Sequence, residues 1–160
     1  MKDLAAVFEH AGCSDVQTYI QSGNVIFRAS ASKAAKVSAA VTRTLLDRTG
    51  LRVPVVLRTS EELAKTTRTN PFLETGSSPE LLHVMFLADL PSEDRVATLD
   101  PRRSPPDEFA VRGRDIYLRC PQGVGKSKLT NAYFDTHLRT VTTMRNWRTL
   151  LKLVDICADP

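Results

Sequence analysis

The sequence has few cysteines and no long apolar run. Its three cysteines lie far apart and form no CxxC pair, so neither a disulfide framework nor a cysteine zinc site is supported. No segment approaches the roughly 20 consecutive apolar residues that cross a bilayer, and no signal-peptide pattern follows Met1. The three histidines also lack the spacing of metal ligands. These absences predict a cytoplasmic protein that has no metal site and makes no membrane contact.

The composition is that of an ordinary globular protein, but the positive charge is unevenly distributed. The 160 residues are 42% apolar and 25% charged, which fits one compact domain or two small lobes. Residues 1–100 hold 11 lysines and arginines against 12 acidic residues, whereas residues 101–160 hold 11 against 6. This asymmetry indicates an anionic partner for the last third of the chain, or else a solvated basic surface.

The first half of the chain predicts helices and strands in the order α-β-β-α-β. The periodicity and the turn residues place them at about 4–11, 16–20, 25–27, 31–49 and 53–57. A capping box, Thr59-x-x-Glu62, then opens another helix that ends before Asn70-Pro71. The order is that of a ferredoxin-like unit whose first strand is absent.

In a ferredoxin-like sheet the first strand is central, so its absence matters for stability. Removing it leaves unpaired backbone groups on both neighbouring strands, at about 1–3 kcal/mol for each buried group. We therefore expect the natural folded unit to begin upstream of Met1.

The segment Gly76-Ser77-Ser78-Pro79 is the clearest break in the pattern, and it predicts a boundary between lobes at 1–75 and 80–160. The second lobe reads β-α-β-β-α plus a terminal helix. Its elements are expected at about 83–87, 92–99, 109–111, 116–120, 127–138 and 146–156. The predicted fold class is thus α+β, with two ferredoxin-like lobes of βαββα type, the first lacking its initial strand, and a C-terminal helix.

A glycine-containing turn, residues 120–127, follows a predicted strand and leads into a predicted helix. It resembles a Walker A motif but fails the pattern, because Cys120 occupies the first glycine position and Pro121 lacks an amide hydrogen. The remaining glycines, with Lys126 and Ser127 at a helix N-terminus, still form a plausible nest for an anion. The alternative is a structural turn in which Ser127 caps the helix.

A second polar cluster, residues 142–148, precedes the terminal helix. Arg145 and Asn146 are placed to hold a carboxylate or a phosphate, although Thr143 equally suits a helix cap. Trp147 belongs to the apolar stripe of the helix and is expected in the core. The predicted ligand-binding residues are Gly123, Gly125, Lys126, Ser127, Lys128, Arg145 and Asn146.

No catalytic constellation emerges from the sequence. Cys120 lies near basic residues that could lower the pKa of its thiol, but a cysteine in a strand is more often a small buried apolar residue. The sequence assigns no reaction, no cofactor and no oligomeric state.

Several longer motifs carry a resemblance to a known family. They are residues 18–27, Asn70-Pro71-Phe72, the segment from Ile116 through Leu129, and Thr143 with Arg145-Asn146-Trp147. Together, and nearly end to end, the chain resembles the bacterial family called domain of unknown function 1697. The resemblance implies a cytoplasmic α/β protein of ferredoxin-like elements without an assigned reaction. It also implies an initial strand and a glycine turn, of the Arg-Gly-Ile-Asn-Val-Gly type, that this sequence lacks.

Three functions compete at this point. The first is the binding of a phosphate-containing or other anionic small molecule at the basic glycine turn. The second is RNA binding, since ferredoxin-like sheets can present aromatic residues, although aromatics are only 6% of this chain and follow no RNP pattern. The third is a non-enzymatic scaffold or homo-oligomer whose polar motifs are turns and caps.

Overall fold

The computed structural model describes residues 2–158, which form an α+β protein with six α-helices and two small antiparallel sheets. The chain divides into two compact units, residues 1–57 and residues 58–160. Among the described residues, no helix combines the length and the apolar character that crossing a membrane requires.

Residues 1–57 contain two helices and one hairpin. They are α1 (Lys2–His10), β1 (Ser14–Tyr19), β2 (Asn24–Arg28) and α2 (Ala31–Thr49), with β1 and β2 paired antiparallel. The helices bury one stripe each, with Val7 and Phe8 on α1 and Val37 and Val41 on α2, as their spacing predicts. Gly50 ends α2 in the left-handed conformation, and its N–H donates to the Leu46 carbonyl.

The strand predicted at 53–57 is wrong. The structure assigns no strand between Leu51 and Thr59, although Val55 and Leu57 pack against the core of this unit. The Val55 carbonyl accepts from the Ser38 hydroxyl at 2.6 Å rather than from a neighbouring strand. Pro54 lacks the amide hydrogen that a sheet ladder needs, which disfavours strand pairing of this segment.

Residues 58–160 hold a four-stranded antiparallel sheet in the order β4-β5-β3-β6. The strands are β3 (Leu82–Leu87), β4 (Glu108–Arg112), β5 (Asp115–Arg119) and β6 (Thr142–Asn146). The helices are α3 (Ser60–Thr69), α4 (Glu93–Val96), α5 (Asn131–Leu138) and α6 (Trp147–Ala158). From β3 to β6 the elements therefore follow each other in the order β-α-β-β-α-β.

Both faces of this sheet are covered, which explains why every residue of β3 is buried. Side chains alternate between the faces of a strand. Met85 and Leu87 point to the face that packs against Phe134 and Leu138 of α5. Phe86 lies on the opposite face, where α3 bonds to β5 and also contacts α6.

Residues 142–146, which the sequence indicates only as part of a polar cluster before the last helix, form strand β6. The segment has a single apolar residue, Met144, and so lacks the alternation that indicates a strand. It forms an edge strand because β3 pairs with it, with Met85 opposite Met144 and Val84 opposite Arg145. Tertiary pairing decides the conformation here, not local pattern.

The two compact units divide the chain between Leu57 and Arg58, and the lobe boundary expected at 76–79 stays a prediction. Helix α3 belongs with the four-stranded sheet, because Thr66 and Thr69 bond to side chains of β5. The glycine-serine segment is also tied to β5, since Arg119 Nε donates to the Ser77 hydroxyl at 2.7 Å. A break in composition thus lies inside the second unit.

Candidate functional site

A pocket of about 310 Å³ lies between α3 and the β4–β5 hairpin, and we call it the α3 pocket. All of its lining belongs to the second unit. The lining residues are Arg58, Glu62, Lys65, Thr69, Arg112, Gly113, Arg114, Asp115 and Tyr117. Four of these side chains are cationic and two are anionic, so the lining is net positive.

The capping box predicted from the sequence fixes the start of α3 beside the pocket. The Glu62 amide donates to Thr59 Oγ1 at 3.2 Å, and the Thr59 amide donates to Glu62 Oε2 at 2.8 Å. The second Glu62 oxygen accepts from the Arg114 guanidinium. These hydrogen bonds and the Arg114 charge hold the pKa of Glu62 below its usual range, against the effect of burial. Glu62 is therefore an ionised structural anchor.

The β4–β5 hairpin supplies two arginines to the pocket. Arg112 is the last residue of β4, and Arg114 lies in the two-residue turn. Gly113 has φ of 61°, the positive value that such a turn requires at its first position. Arg112 donates to the Thr69 carbonyl at 2.8 Å, while Arg114 donates to the Ala88 carbonyl at 3.3 Å. Arg114 is thus fixed by Glu62 and by backbone, whereas Arg112 is exposed and makes no ion pair among residues 2–158.

A buried ion pair forms the floor of the pocket. Arg58 and Asp115 lie 3.2 Å apart, and only 5% and 17% of their side chains are exposed. Arg58 also donates to the carbonyls of Leu87 and Arg114, at 3.1 and 2.6 Å, and lies over the ring of Phe86. Burial lowers the pKa of Arg58, and the Asp115 charge offsets part of that effect. The floor therefore contributes little net charge.

Hydroxyl groups extend the floor from Asp115 toward β5. Thr66 donates to the second oxygen of Asp115 at 2.7 Å. The hydroxyls of Thr69 and Tyr117 lie 2.6 Å apart, and the Tyr117 hydroxyl donates to the Thr66 carbonyl at 3.2 Å. Burial raises the pKa of Tyr117, so its hydroxyl stays protonated at neutral pH. The floor is polar, ordered and close to neutral.

The glycine turn predicted to bind an anion uses most of its amides inside the protein. The amides of Gly123, Lys126 and Ser127 donate to backbone carbonyls at 3.0–3.2 Å, within a 3-10 turn over Val124–Lys126. The Lys128 amide donates to the buried hydroxyl of Ser104 at 2.9 Å. Lys126 and Lys128 themselves are exposed. The cationic side chains of the turn remain available to solvent.

The helix expected to begin at Ser127 begins four residues later. Thr130 is the N-cap of α5, and its hydroxyl accepts from the Tyr133 amide at 3.2 Å. Ser127 instead accepts from the Leu129 amide at 3.1 Å, in extended backbone. The sequence prediction of a helix dipole behind the glycine turn is therefore wrong, and only side-chain charge and amides are left to attract an anion there.

The other two predicted residues lie on β6. Arg145 is half-buried and donates to the Thr143 hydroxyl at 2.9 Å and to the Met144 carbonyl at 2.7 Å. Burial lowers the pKa of Arg145. Asn146 accepts from the Thr149 amide at 2.8 Å, which is the bond of a helix cap, so Asn146 rather than Thr143 caps α6.

The topology relates the two predicted clusters to each other. Both β5 and β6 run antiparallel to β3, so the turn after β5 and the end of β6 lie at the same end of the sheet. Arg145 lies opposite Val84, on the face of Phe86, whereas Val124 and Leu129 pack on the face of Met85. The two clusters therefore lie at the same end of the sheet but on opposite faces of it.

The remaining chemical candidates of the sequence are in the core. Cys120 is fully buried, and burial raises the pKa of its thiol to about 11, so no thiolate forms at neutral pH. Trp147 is 3% exposed, which confirms its expected place in the core. Neither residue offers a reactive group or a stacking surface to a ligand.

The α3 pocket was not predicted as a site, although parts of it were visible in the sequence. The capping box is visible in the sequence, but it indicates only where α3 begins. The pocket itself depends on α3 packing against β5, which brings together residues 43–57 positions apart in the chain. No local spacing encodes such a contact. The usable signal is the excess of cations over acids in the hairpin.

A family model described as protein of unknown function (DUF1697) matches residues 1–117. The match covers most of the chain and confirms the resemblance carried by its motifs. No curated protein and no solved structure matches the chain. The matched range includes every residue that lines the α3 pocket, whereas the predicted ligand-binding residues, which begin at Gly123, follow its last residue.

Proposed function

The chain thus belongs to the family described as protein of unknown function (DUF1697), and we propose that it binds a small anionic ligand in the α3 pocket. The observation that carries the proposal is the division of the lining cations into two kinds. Arg58 and Arg114 are paired with Asp115 and Glu62. The other two cations, on α3 and on the hairpin, make no ion pair within the described part of the chain.

The unpaired cations are Lys65 and Arg112, and both side chains are exposed at the pocket. A guanidinium suits phosphate and carboxylate because it donates two parallel hydrogen bonds, and an ammonium adds a compact charge. Near a protein surface, one ion pair at 4 Å is worth about 4 kcal/mol before desolvation. Two cations around one small pocket therefore favour an anion of charge −1 to −2.

The glycine turn stays a second proposed anion site. Its support is the exposure of Lys126 and Lys128, which follow the flexible backbone of Gly123 and Gly125. The amides that the protein itself uses weaken this proposal relative to the α3 pocket.

A ligand panel with matched variants tests the proposal. Thermal unfolding of the full chain is followed with inorganic phosphate, pyrophosphate, sugar phosphates and nucleotides. A ligand at 100 times its Kd raises the free energy of unfolding by about 2.7 kcal/mol. We expect this stabilisation to be lost in the double variant Lys65→Ala, Arg112→Ala. We expect it to persist in Arg68→Ala, which removes an exposed cation from the same helix outside the pocket.

The double variant Lys126→Ala, Lys128→Ala separates the two proposed sites. It should bind like the unaltered protein if the α3 pocket holds the ligand. Loss of binding in this variant, with binding intact in the pocket variant, would move the site to the glycine turn. Absence of stabilisation by every anion in the panel would overturn the proposal as a whole.

RNA binding has less support. The aromatic residues that motivated it are Phe27, Phe109 and Tyr117. Phe27 packs against Phe8, Phe109 against Phe134, and Tyr117 is 1% exposed, so none presents a free ring. Affinity that falls steeply with salt remains the test for this alternative. The scaffold or homo-oligomer role is a further alternative, addressed by light scattering.

We also propose that residues 58–160 are a ferredoxin-like unit, supported by the order β-α-β-β-α-β and the strand order β4-β5-β3-β6. The lobe boundary expected at 76–79 and the cytoplasmic location stay predictions. No reaction is proposed, because the lining offers ordered binding groups and no activated nucleophile.

A further inference from the structure

The α3 pocket separates charge from hydrogen-bonding capacity. Its free charges, Lys65 and Arg112, are exposed, whereas Asp115 and the hydroxyls of Thr69 and Tyr117 lie deeper. The charge of Asp115 is balanced by Arg58. A ligand that fills the pocket therefore meets cations at the mouth and a neutral, oxygen-rich surface at the floor.

The floor presents oxygen atoms that accept hydrogen bonds, so the part of a ligand that reaches it needs hydrogen-bond donors. A carboxylate has about four acceptor positions on its two oxygens. Arg58 donates twice to one oxygen of Asp115, whereas the other oxygen accepts from Thr66 alone and keeps acceptor capacity, and 17% of the side chain is exposed. An apolar group placed there would strip water from these oxygens without replacing its hydrogen bonds. Hydroxyl groups on a ligand would satisfy them.

The size of the pocket limits the ligand. Ligand pockets usually span about 300–1,000 Å³, and the α3 pocket, at about 310 Å³, lies at the lower end. A phosphate group with a short polyol or a single sugar ring matches this volume. A dinucleotide or a nucleic acid strand would leave most of its surface outside.

We propose that the ligand of the α3 pocket is the phosphate monoester of a small polyhydroxy compound. The phosphate lies against Lys65 and Arg112, and the hydroxyls donate to Asp115 and bond with Thr69, whose hydroxyl the buried Tyr117 hydroxyl holds in place. This inference rests on the proposed anion binding and adds the chemical class of the part that enters the pocket.

Isothermal titration of the full chain with four probes tests it. Methyl phosphate carries the charge alone, glycerol 3-phosphate and glucose 6-phosphate carry charge and hydroxyls, and glucose carries hydroxyls alone. We expect the two polyol phosphates to bind at least tenfold more tightly than methyl phosphate, because each hydrogen bond to a carboxylate adds affinity. Glucose alone should bind far more weakly than glucose 6-phosphate.

Variants of the floor residues test whether the tighter binding of polyol phosphates comes from the floor of the pocket. Thr69→Val and Tyr117→Phe each remove one hydroxyl with little change in shape. Both should reduce the preference for polyol phosphates over methyl phosphate. Thr67→Val is the matched control, since Thr67 lies on the same helix, bonds to the Ala64 carbonyl and does not line the pocket.

The outcomes distinguish the inference from the function on which it rests. Equal affinities for methyl phosphate and both polyol phosphates would overturn the inference and leave anion binding in place. A preference that survives in Thr69→Val and in Tyr117→Phe would also overturn it. If methyl phosphate, glycerol 3-phosphate and glucose 6-phosphate all fail to bind, the proposed function fails, and the inference with it.

Discussion

In the α3 pocket the cations are side chains held by a helix and a hairpin, whereas in the glycine turn most of the polar groups are backbone amides. Folding uses the two kinds of group differently. The amides of Gly123, Lys126 and Ser127 close the turn on itself, and Ser104 takes the Lys128 amide. In the pocket, Glu62 and Asp115 neutralise two arginines and leave Lys65 and Arg112 unpaired within residues 2–158.

The difference shows why a motif for a turn is weak evidence of a binding site. Glycines at the right spacing indicate that the backbone can adopt positive φ, as Gly123 does at 88°. They do not indicate whether the amides remain free after the turn has closed. A site consists of the groups that the fold does not consume, and those can be counted only once the partners are known.

The largest expected effect concerns the floor of the pocket. Asp115→Ala leaves the Arg58 guanidinium buried without its carboxylate, which should lower the free energy of unfolding by about 3–5 kcal/mol. Arg148→Ala breaks an exposed pair with Glu80 and should cost about 1 kcal/mol or less. Urea unfolding followed by the fluorescence of the single tryptophan, Trp147, measures both. Similar losses in the two variants would refute a structural role for the floor.

A smaller effect is expected from pH, at the residue where the glycine turn begins. Burial raises the pKa of Cys120 from 9.0 to about 11. The folded state therefore favours the neutral thiol, and the stability it contributes is present below pH 9 and is lost as the pH rises toward 11. The loss should reach about 2–3 kcal/mol. Tyr117, whose pKa is also raised, acts in the same direction above pH 10.

Comparing the unaltered protein with Cys120→Ala shows how much of the pH dependence of stability comes from the thiol. The variant should be less stable at pH 8, because it leaves a small cavity, but its stability should fall less between pH 9 and pH 11. Urea unfolding at several pH values provides the measurement. Parallel curves for the two proteins would show that the thiol does not titrate differently on unfolding.

The smallest effect concerns the anchor of the glycine turn. Ser104 is buried, donates to Asp107 at 2.7 Å and accepts from the Lys128 amide at 2.9 Å. Ser104→Ala leaves both groups without this partner and should cost about 1–2 kcal/mol. Ser92→Ala, at an exposed cap without a side-chain hydrogen bond, should change the stability by less than about 0.5 kcal/mol. Thermal unfolding of both variants measures the difference, and equal losses of stability would show that Ser104 does not hold the turn.

Much of the fold could be predicted from local sequence signals. The range of α2, the capping box of α3 and both hairpins follow from periodicity, caps and turn residues, and the structure confirms them. Strand β6 could not be predicted, because four of its five residues are polar and only β3 makes it a strand. The segment at 53–57 has the composition of a strand, but the structure assigns no strand there.

The candidate site shows the same limit. Lys126, Lys128 and Arg145 were selected because they flank motifs, and each motif is explained by turns, caps and strand pairing. The pocket depends on Arg112 reaching the carbonyl of Thr69, 43 residues away in sequence. The excess of cationic over acidic residues can be counted in the sequence. Which cations pair with an acidic residue can be known only from the fold.

The turn at Gly113 has a consequence for how ligand preference could diverge. Gly113, which has a positive φ, lies between Arg112 at the mouth of the pocket and Arg114, which is paired with Glu62. The positions of both arginines therefore depend on this one turn. Lengthening the loop by one or two residues would shift the mouth, whereas the Arg58–Asp115 floor, held from α3 and β5, would keep its position. Under the proposed anion binding, exchanging the hairpin tip would therefore change which anion the pocket prefers and leave the floor unaltered.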